Sequence, residues 1–301
     1  MNATLGKPGQ PTVSLVIGSG SVKCAAAIGV VKALTDEGIG IERVVGCSAG
    51  AIFAAVVALG YDTKECVEAT SRLWTKEITA KRNTMGMLRA LAPRLFGFRA
   101  DSFGLRDDGP KDQLLREFFG DRRIEDALIP LHITATDFAN GELVDLQRGS
   151  ISDAIRASVA LPFAFAPVRI DGKLLVDGYL ADPLPVSVAI KHGARVIIAV
   201  GFESPYQERI GSAGRFAFQL SAIMSNNLLK SRFSFHSIAH HSEVIAIIPE
   251  FSQRIRLFDT EKVPYIVEEG EKCTRAQFPY LRELLAAEQS TAAAGAVPGA
   301  R

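Results

Sequence analysis

The residue best placed to do chemistry is Ser48. It stands in Gly46-Cys47-Ser48-Ala49-Gly50, a G-x-S-x-G pattern preceded by Val44-Val45 and followed by the apolar run Ala51 to Leu59. Glycines two before and two after the serine remove the Cβ atoms that would block a sharp strand-to-helix turn, leaving the serine Oγ exposed at its tip. Such a serine is positioned as a nucleophile, and the N-terminus of the following helix aims free N–H groups at the place where an oxyanion would form. Cys47 beside it reads as a small packing residue. A nucleophile needs a base, and Val168 to Gly178 holds two Asp-Gly pairs. Asp171-Gly172 lies between two short apolar runs and reads as a hairpin turn. Asp177 ends the return strand, where an open α/β sheet delivers functional groups. An aspartate with an ordinary pKa of about 3.9 is a weak base, so to act as one it requires a desolvated site that raises it.

A histidine triad is the competing arrangement. The five histidines are His132, His192, His236, His240 and His241, and the last three follow Ser48 and Asp177 in the chain order of an α/β-hydrolase triad. Upstream, Thr12 to Ile17 reads as a buried strand that runs into Gly18-Ser19-Gly20-Ser21-Val22-Lys23-Cys24. Lys23 stands where a dinucleotide loop needs glycine, and no Gly-Lys-Ser or Gly-Lys-Thr follows, so neither phosphate-loop pattern is met. A helix over 25–37 joins this strand to the Ser48 strand, which makes the two neighbours in a parallel sheet. The backbone N–H groups of Gly20, Ser21, Val22 and Lys23 then have the layout of an oxyanion hole. The Lys23 side chain serves either that charge or a salt bridge; both readings stand.

A glycine-rich loop with a basic residue near its end, a G-x-S-x-G elbow and a distant Asp-Gly pair occur here in that order. The chain thereby resembles the patatin-like phospholipase family, in particular its bacterial members. The resemblance also takes in Pro130 to Phe138, Ala157-Ser158 with Leu161-Pro162, Phe165 and Pro167, and Leu175-Val176-Asp177-Gly178. It is strong over 12–205 and weaker to about 285. It implies an α/β fold, a three-layer αβα sandwich with a mainly parallel central sheet, whose motif glycines here are Gly18, Gly46, Gly50 and Gly178. It also implies a Ser48-Asp177 dyad that works through an acyl-enzyme without histidine or cofactor. The substrate it implies is a lipid ester: phospholipid, lysophospholipid or acylglycerol. Two positions depart from the family pattern. Cys24 stands where the loop usually has glycine, and Tyr179 where a small residue usually follows Asp-Gly.

Composition bounds the remaining possibilities. The chain has 301 residues, 48% hydrophobic and 22% charged, enough for an ample α/β core, and a net charge of +1 argues against a general nucleic-acid binder. Cys24, Cys47, Cys66 and Cys273 show no zinc-type or C-x-x-C spacing, and no His/Asp/Glu cluster has metal-ligand spacing, so reduced thiols, a cytoplasmic setting and no metal are expected. No secretory signal is visible, and the longest apolar run is too short to span a bilayer. The expected plan is an N-terminal disordered arm (1–11), one domain (12–287) and a disordered tail (288–301).

Within the domain, 72–110 is a candidate lid or insert. Between Arg72 and Arg99 seven basic residues stand against the single acid Glu77, interleaved with Trp74, Met85, Met87, Leu88, Leu91, Leu95, Phe96 and Phe98. Two readings stand: a surface that meets anionic lipid or covers the site, or a helical excursion whose apolar side packs on the body. Helices are expected over 62–75, 152–159, 186–191, 211–235 and 266–287, and strands over 131–136, 195–200 and 243–249. Asn140-Gly141 signals a hairpin. Phe163, Phe165 and Pro167 are expected in an extended stretch, serving core or pocket. The contrasting functions are a non-catalytic or regulatory protein on the same fold, for which Cys24 is the best support, and a soluble-ester hydrolase.

Overall fold

The computed structural model describes residues 10–295 apart from 205, 207, 208, 240 and 241. Of the N-terminal arm, residues 1–9 lie outside the described residues, while Pro11 is seated, its carbonyl accepting the Gly40 N–H at 2.9 Å.

β1 (Thr12–Ile17) passes through a 3-10 turn (Ser21–Ala25) into α1 (Ala26–Asp36), which returns the chain to β2 (Gly40–Cys47), parallel to β1. All residues of α2 (Ala49–Ala58) are buried, which explains a sequence that is small and apolar all round. α3 (Thr63–Leu73) opens on a capping box in which the Asp62 and Glu65 side chains each accept the other's backbone N–H. There follow α4 (Thr84–Leu91), α5 (Pro93–Phe96), α6 (Gly109–Phe119), β3 (Leu131–Asp137), β4 (Leu143–Leu146) and α7 (Ile151–Ser158). The chain closes through β5 (Val168–Ile170), β6 (Lys173–Asp177), α8 (Val186–Lys191), β7 (Val196–Val200), α9 (Ala213–Ala239), β8 (Glu243–Ile247), α10 (Val263–Ala276) and α11 (Phe278–Gly295).

Among the described residues eight strands form one sheet in the order β5-β6-β3-β2-β1-β7-β8, with β4 on the free side of β3. From β3 to β8 in that order neighbours run parallel; β4 and β6 run antiparallel to β3. Alternation along the strands sends Leu15, Ile17, Val44, Ile198 and Val200 to the larger core beneath α1, α2 and α10. Val16, Val45, Ile197 and Ala199 point the other way, onto Val186 and Val188 of α8 and Leu229 of α9. Helices therefore cover both faces, the expected three-layer sandwich. α1 and α10 cross closely: a Cβ on Gly29 would strike the Val267 carbonyl, and one on Gly270 the Ala26 carbonyl.

β3 organises the site. On one edge it pairs wholly with β4, Ile133↔Leu146 through Thr136↔Leu143. Its other edge is shared: β2 occupies it up to Cys47↔Thr134, and β6 takes over at Asp177↔Ala135. The two strands approach from opposite directions, so their C-terminal ends abut. Asp177 is thus delivered by an antiparallel strand, not by the parallel-strand rule that its position in the sequence suggested.

Three further expectations change. The helix expected over 266–287 is two helices, parted at Gln277, with Pro279 in the first turn of α11, where its missing N–H leaves no bond unmade. The C-terminal one continues to Gly295, so helix replaces the start of the expected tail; 296–301 lie outside the described residues. The stretch around Phe163 is turned, not extended: Ala164 and Phe165 N–H both bond the Leu161 carbonyl at 3.0 Å. Phe163 there has φ 65° and is 58% exposed, so only Phe165 serves the core.

Candidate active site

Ser48 occupies the turn between β2 and α2 with φ 54° and ψ −126°, a left-handed conformation that side chains rarely adopt. The flanking glycines permit it. A Cβ on Gly46 would lie 2.6 Å from the Ala51 Cα, and one on Gly50 would fall on the carbonyls of Ile17 and Gly18. Ser158, the last residue of α7, holds the turn. Its hydroxyl accepts the Ser48 N–H at 2.8 Å and donates to the Thr134 carbonyl at 2.7 Å.

Because β2 and β6 meet end to end, the Ser48 Oγ donates to Asp177 Oδ2 at 2.8 Å. The other carboxylate oxygen accepts the Tyr179 N–H at 3.1 Å, and the Asp177 carbonyl accepts the Thr136 hydroxyl at 2.8 Å. Gly178 is required beside it, since a Cβ there would stand 2.6 Å from the Thr134 carbonyl. Asp177 is 2% exposed, and burial pushes its carboxyl up to about 7, against the pull of the Tyr179 N–H, the Ser48 hydroxyl and the Lys111 ammonium. A hydroxyl bonded to a carboxyl in that range can pass its proton to that carboxylate near neutral pH.

The glycine-rich loop lies against the elbow, with the 3-10 turn packed on α2. Gly18 and Ser19 spend their N–H groups on the Val200 and Pro183 carbonyls, at 2.9 and 2.8 Å. The first N–H groups of a 3-10 helix have no acceptor within it, and with Gly20 as the cap these belong to Gly20, Ser21 and Val22, while the i→i+3 pattern turns the Lys23 N–H onto the Gly20 carbonyl. Gly20 must lack a side chain because a Cβ would meet the Phe202 ring. The Lys23 ammonium turns to the Glu203 carbonyl at 2.9 Å, a structural tether. Neither departure from the family pattern displaces a site group. Cys24 is fully buried and its thiol reaches the Gly18 carbonyl at 3.3 Å, while the Tyr179 hydroxyl pairs with Ser221 at 2.9 Å. Burial pushes the Cys47 thiol well up, as befits a packing residue that reaches the Asp182 carbonyl at 3.4 Å.

Lys111 and Ser158 escaped sequence reasoning as site residues. Lys111 is 4% exposed, lies 2.8 Å from Asp108 and stands 4.4 Å from the Phe165 ring centroid. A lone lysine in an amphipathic helix carries no sign of this; the Ala-Ser pair was visible only through the resemblance. Of the histidines, His132 and His192 contact Asp145 rather than Ser48. His240 and His241, and the side chain of His236, lie outside the described residues. A cleft of about 350 Å³ lined by Arg116, Arg148, Arg156 and Arg169 includes neither Ser48 nor Asp177.

Comparison with known proteins agrees with this architecture. The family model for patatin-like phospholipases matches residues 15–190. The chain belongs to the patatin-like phospholipase family. An uncharacterized NTE family protein of Mycobacterium tuberculosis is 35% identical over 191 residues, covering 64% of this chain and 49% of that protein. Patatin-like phospholipase domain-containing protein 6 of Mus musculus is 27% identical over 205 residues, covering 67% of this chain and 14% of that protein. The chain thus spans about half the length, or less, of these curated relatives. Among solved structures, VipD from Legionella pneumophila shares the fold, with a TM-score of 0.50, 15% identity, and coverage of 94% of this chain and 68% of that one. Among the described residues no helix is long and apolar enough to cross a membrane.

Proposed function

We propose that the chain is a serine hydrolase of lipid carboxylic esters in which Ser48 is the nucleophile and Asp177 its general base. The observation that carries this reading is the 2.8 Å contact between the Ser48 hydroxyl and a buried carboxyl raised to about 7. Asp177 takes the Ser48 proton as Oγ attacks the acyl carbonyl, and the N–H groups of Gly20, Ser21 and Val22 hold the oxyanion. Collapse expels the alcohol, which leaves with the proton from Asp177. Water then attacks the acyl-enzyme, gives its proton to Asp177, and the released Ser48 takes that proton back as the fatty acid departs. Membership of the family supports a lipid acyl group.

The surface around α4 and α5 supports a lipid aggregate as the physical form of the substrate. Leu91 is 82% and Leu95 80% exposed, with Met85, Leu88, Phe96 and Phe98 about half exposed beside Arg89, Arg94 and Arg99. Packing on the body describes the start of this stretch, where Trp74 is buried and its indole N–H meets the Leu257 carbonyl at 2.6 Å, and also Gly86, which is buried, and Phe98, whose ring centroid lies 5.3 Å from that of Phe103. The rest is joined to the site. The Leu105 N–H bonds the Phe163 carbonyl at 2.9 Å, and the same turn accepts the Asp177 N–H on Ala160 at 3.1 Å. Apolar side chains among cations fit peripheral docking on an anionic bilayer.

The deciding experiment is hydrolysis of a short-chain p-nitrophenyl ester by the wild type, Ser48→Ala and Asp177→Asn, with fluorophosphonate adducts located by mass spectrometry. Activity lost in both variants with the adduct on Ser48 upholds the reading. A fully active Ser48→Ala variant, or an adduct elsewhere, defeats it.

A further inference from the structure

On the face of β3 opposite Asp177, three side chains distant in sequence converge. β4 folds back on β3 with Asp145 opposite Thr134, which brings its carboxylate onto the His132 side of the strand. His192, capping the C-terminus of α8, closes on the same point from the neighbouring layer. His132 Nδ1 lies 3.0 and 3.2 Å from the two Asp145 oxygens, and His192 Nε2 lies 3.0 Å from Oδ2. The two imidazole rings are 4.4 Å apart between centroids. Gln147 adds its amide 2.8 Å from Asp145 Oδ2 and 3.4 Å from His192 Nε2. The nucleophile chemistry proposed above uses none of these groups.

We infer that His132 Nδ1, His192 Nε2 and a carboxylate oxygen of Asp145 form a binding site for a divalent late first-row transition cation such as zinc. Two imidazoles and one carboxylate are a donor set that suits these cations, whereas calcium and magnesium take oxygen ligands. Ligands on one such ion, with bonds of about 2.0–2.2 Å at angles of about 90–110°, lie about 3.0–3.5 Å from one another. To the single oxygen Oδ2 the His132 and His192 nitrogens lie at 3.2 and 3.0 Å, which already meets that spacing, and all three donor atoms lie within 4.8 Å of one another. Side-chain exposures of 7% for His132, 12% for Asp145 and 25% for His192 describe a shielded site with an open side at His192. Without a cation, ring N–H groups can bond the carboxylate from these same nitrogens. A neutral imidazole frees the nitrogen by carrying its hydrogen on the other one, so binding requires a tautomer change together with whatever closure brings the two imidazole nitrogens from within 4.8 Å to that spacing. The ligands come from β3, β4 and the end of α8, so the ion would staple an edge strand and a helix to the middle of the sheet.

The test uses the full-length chain without a histidine tag, stripped by chelator. Zinc is titrated calorimetrically and cobalt(II) by its visible ligand-field absorption, in the wild type, His192→Ala and Asp145→Asn. The inference predicts one saturable equivalent in the wild type, a raised melting temperature, and affinity about tenfold or more weaker in both variants. His192 is part-exposed, so its variant should melt normally without metal and separate lost binding from lost folding. Absence of saturable binding at millimolar zinc overturns the inference and leaves a hydrogen-bonded network. Isotherms identical in wild type and variants also overturn it, by assigning the ion to other side chains.

Discussion

The elbow around Ser48 and the α4–α5 excursion are opposite solutions to the placement of apolar residues. Around Ser48 the helix that follows is buried on every side, the turn is held by Ser158, and the general-base candidate is 2% exposed. In α4 and α5 leucines stand in solvent at 82% and 80% exposure. A turn pinned by Ser158 keeps a strained serine in one conformation, and the packing around it desolvates its partner. An exposed apolar surface stabilises nothing within the chain and gains only when something else covers it. The contrast separates a region shaped by internal packing from one that leaves large apolar side chains in solvent.

The largest effect that would sharpen this contrast belongs to Asp177. Asp177→Asn should lower ester hydrolysis by about 10²–10⁴-fold, the usual worth of a general base, with KM little changed. The same variant tests the cost of burying the charge. Asp177 titrates at about 7 in the folded chain against a reference of 3.8, so the folded state binds the proton more tightly. Between those values stability falls as pH rises, and below both the group contributes nothing. Asp177→Asn should therefore melt above the wild type at pH 8 and close to it at pH 4. Equal differences at both pH values would remove burial as the cause of the shift.

Smaller effects follow with distance from the pair. Gly50→Ala drives a methyl onto the Ile17 and Gly18 carbonyls, and should cost about 1–3 kcal/mol of stability together with activity, measured by denaturant unfolding and ester hydrolysis. Ser158→Ala leaves the Ser48 N–H and the Thr134 carbonyl without their shared partner, at about 1–3 kcal/mol, and should lower kcat more than it raises KM. The smallest catalytic effect is expected from Leu91→Ser with Leu95→Ser. Short-chain ester turnover should hold, while sedimentation with anionic vesicles weakens; undiminished vesicle binding would break the contrast drawn here.

The elbow was legible because local backbone geometry admits few residues there: Gly46 and Gly50 answer steric demands that any such turn imposes. The Asp171-Gly172 hairpin was legible for the same reason, with φ 47° and 78° at its two residues. The break at Gln277 was missed because hydrophobic period carries through it, and Pro279 in a first helical turn leaves that period intact. Phe163 was misplaced because an apolar residue reads as buried until its neighbours are known. Between Arg72 and Arg99 composition does not say which apolar side chains are covered, and only the folded chain shows Trp74 buried while Leu91 and Leu95 stand exposed.

By itself the sequence determined the strand-turn-helix at Ser48, the glycine-rich loop, the hairpin before Asp177 and the adjacency of β1 and β2, since each rests on local sterics, on period or on a single-helix crossover. The tertiary structure decided which aspartate meets the serine, and it did so through a long-range register: β2 and β6 divide one edge of β3 between Thr134 and Ala135. It also decided what Asp177 is chemically, because a carboxyl rises to about 7 only when the rest of the fold excludes water from it. The meeting of His132, Asp145 and His192 is of the same kind, since strand pairing and helix packing, not spacing along the chain, place those side chains together.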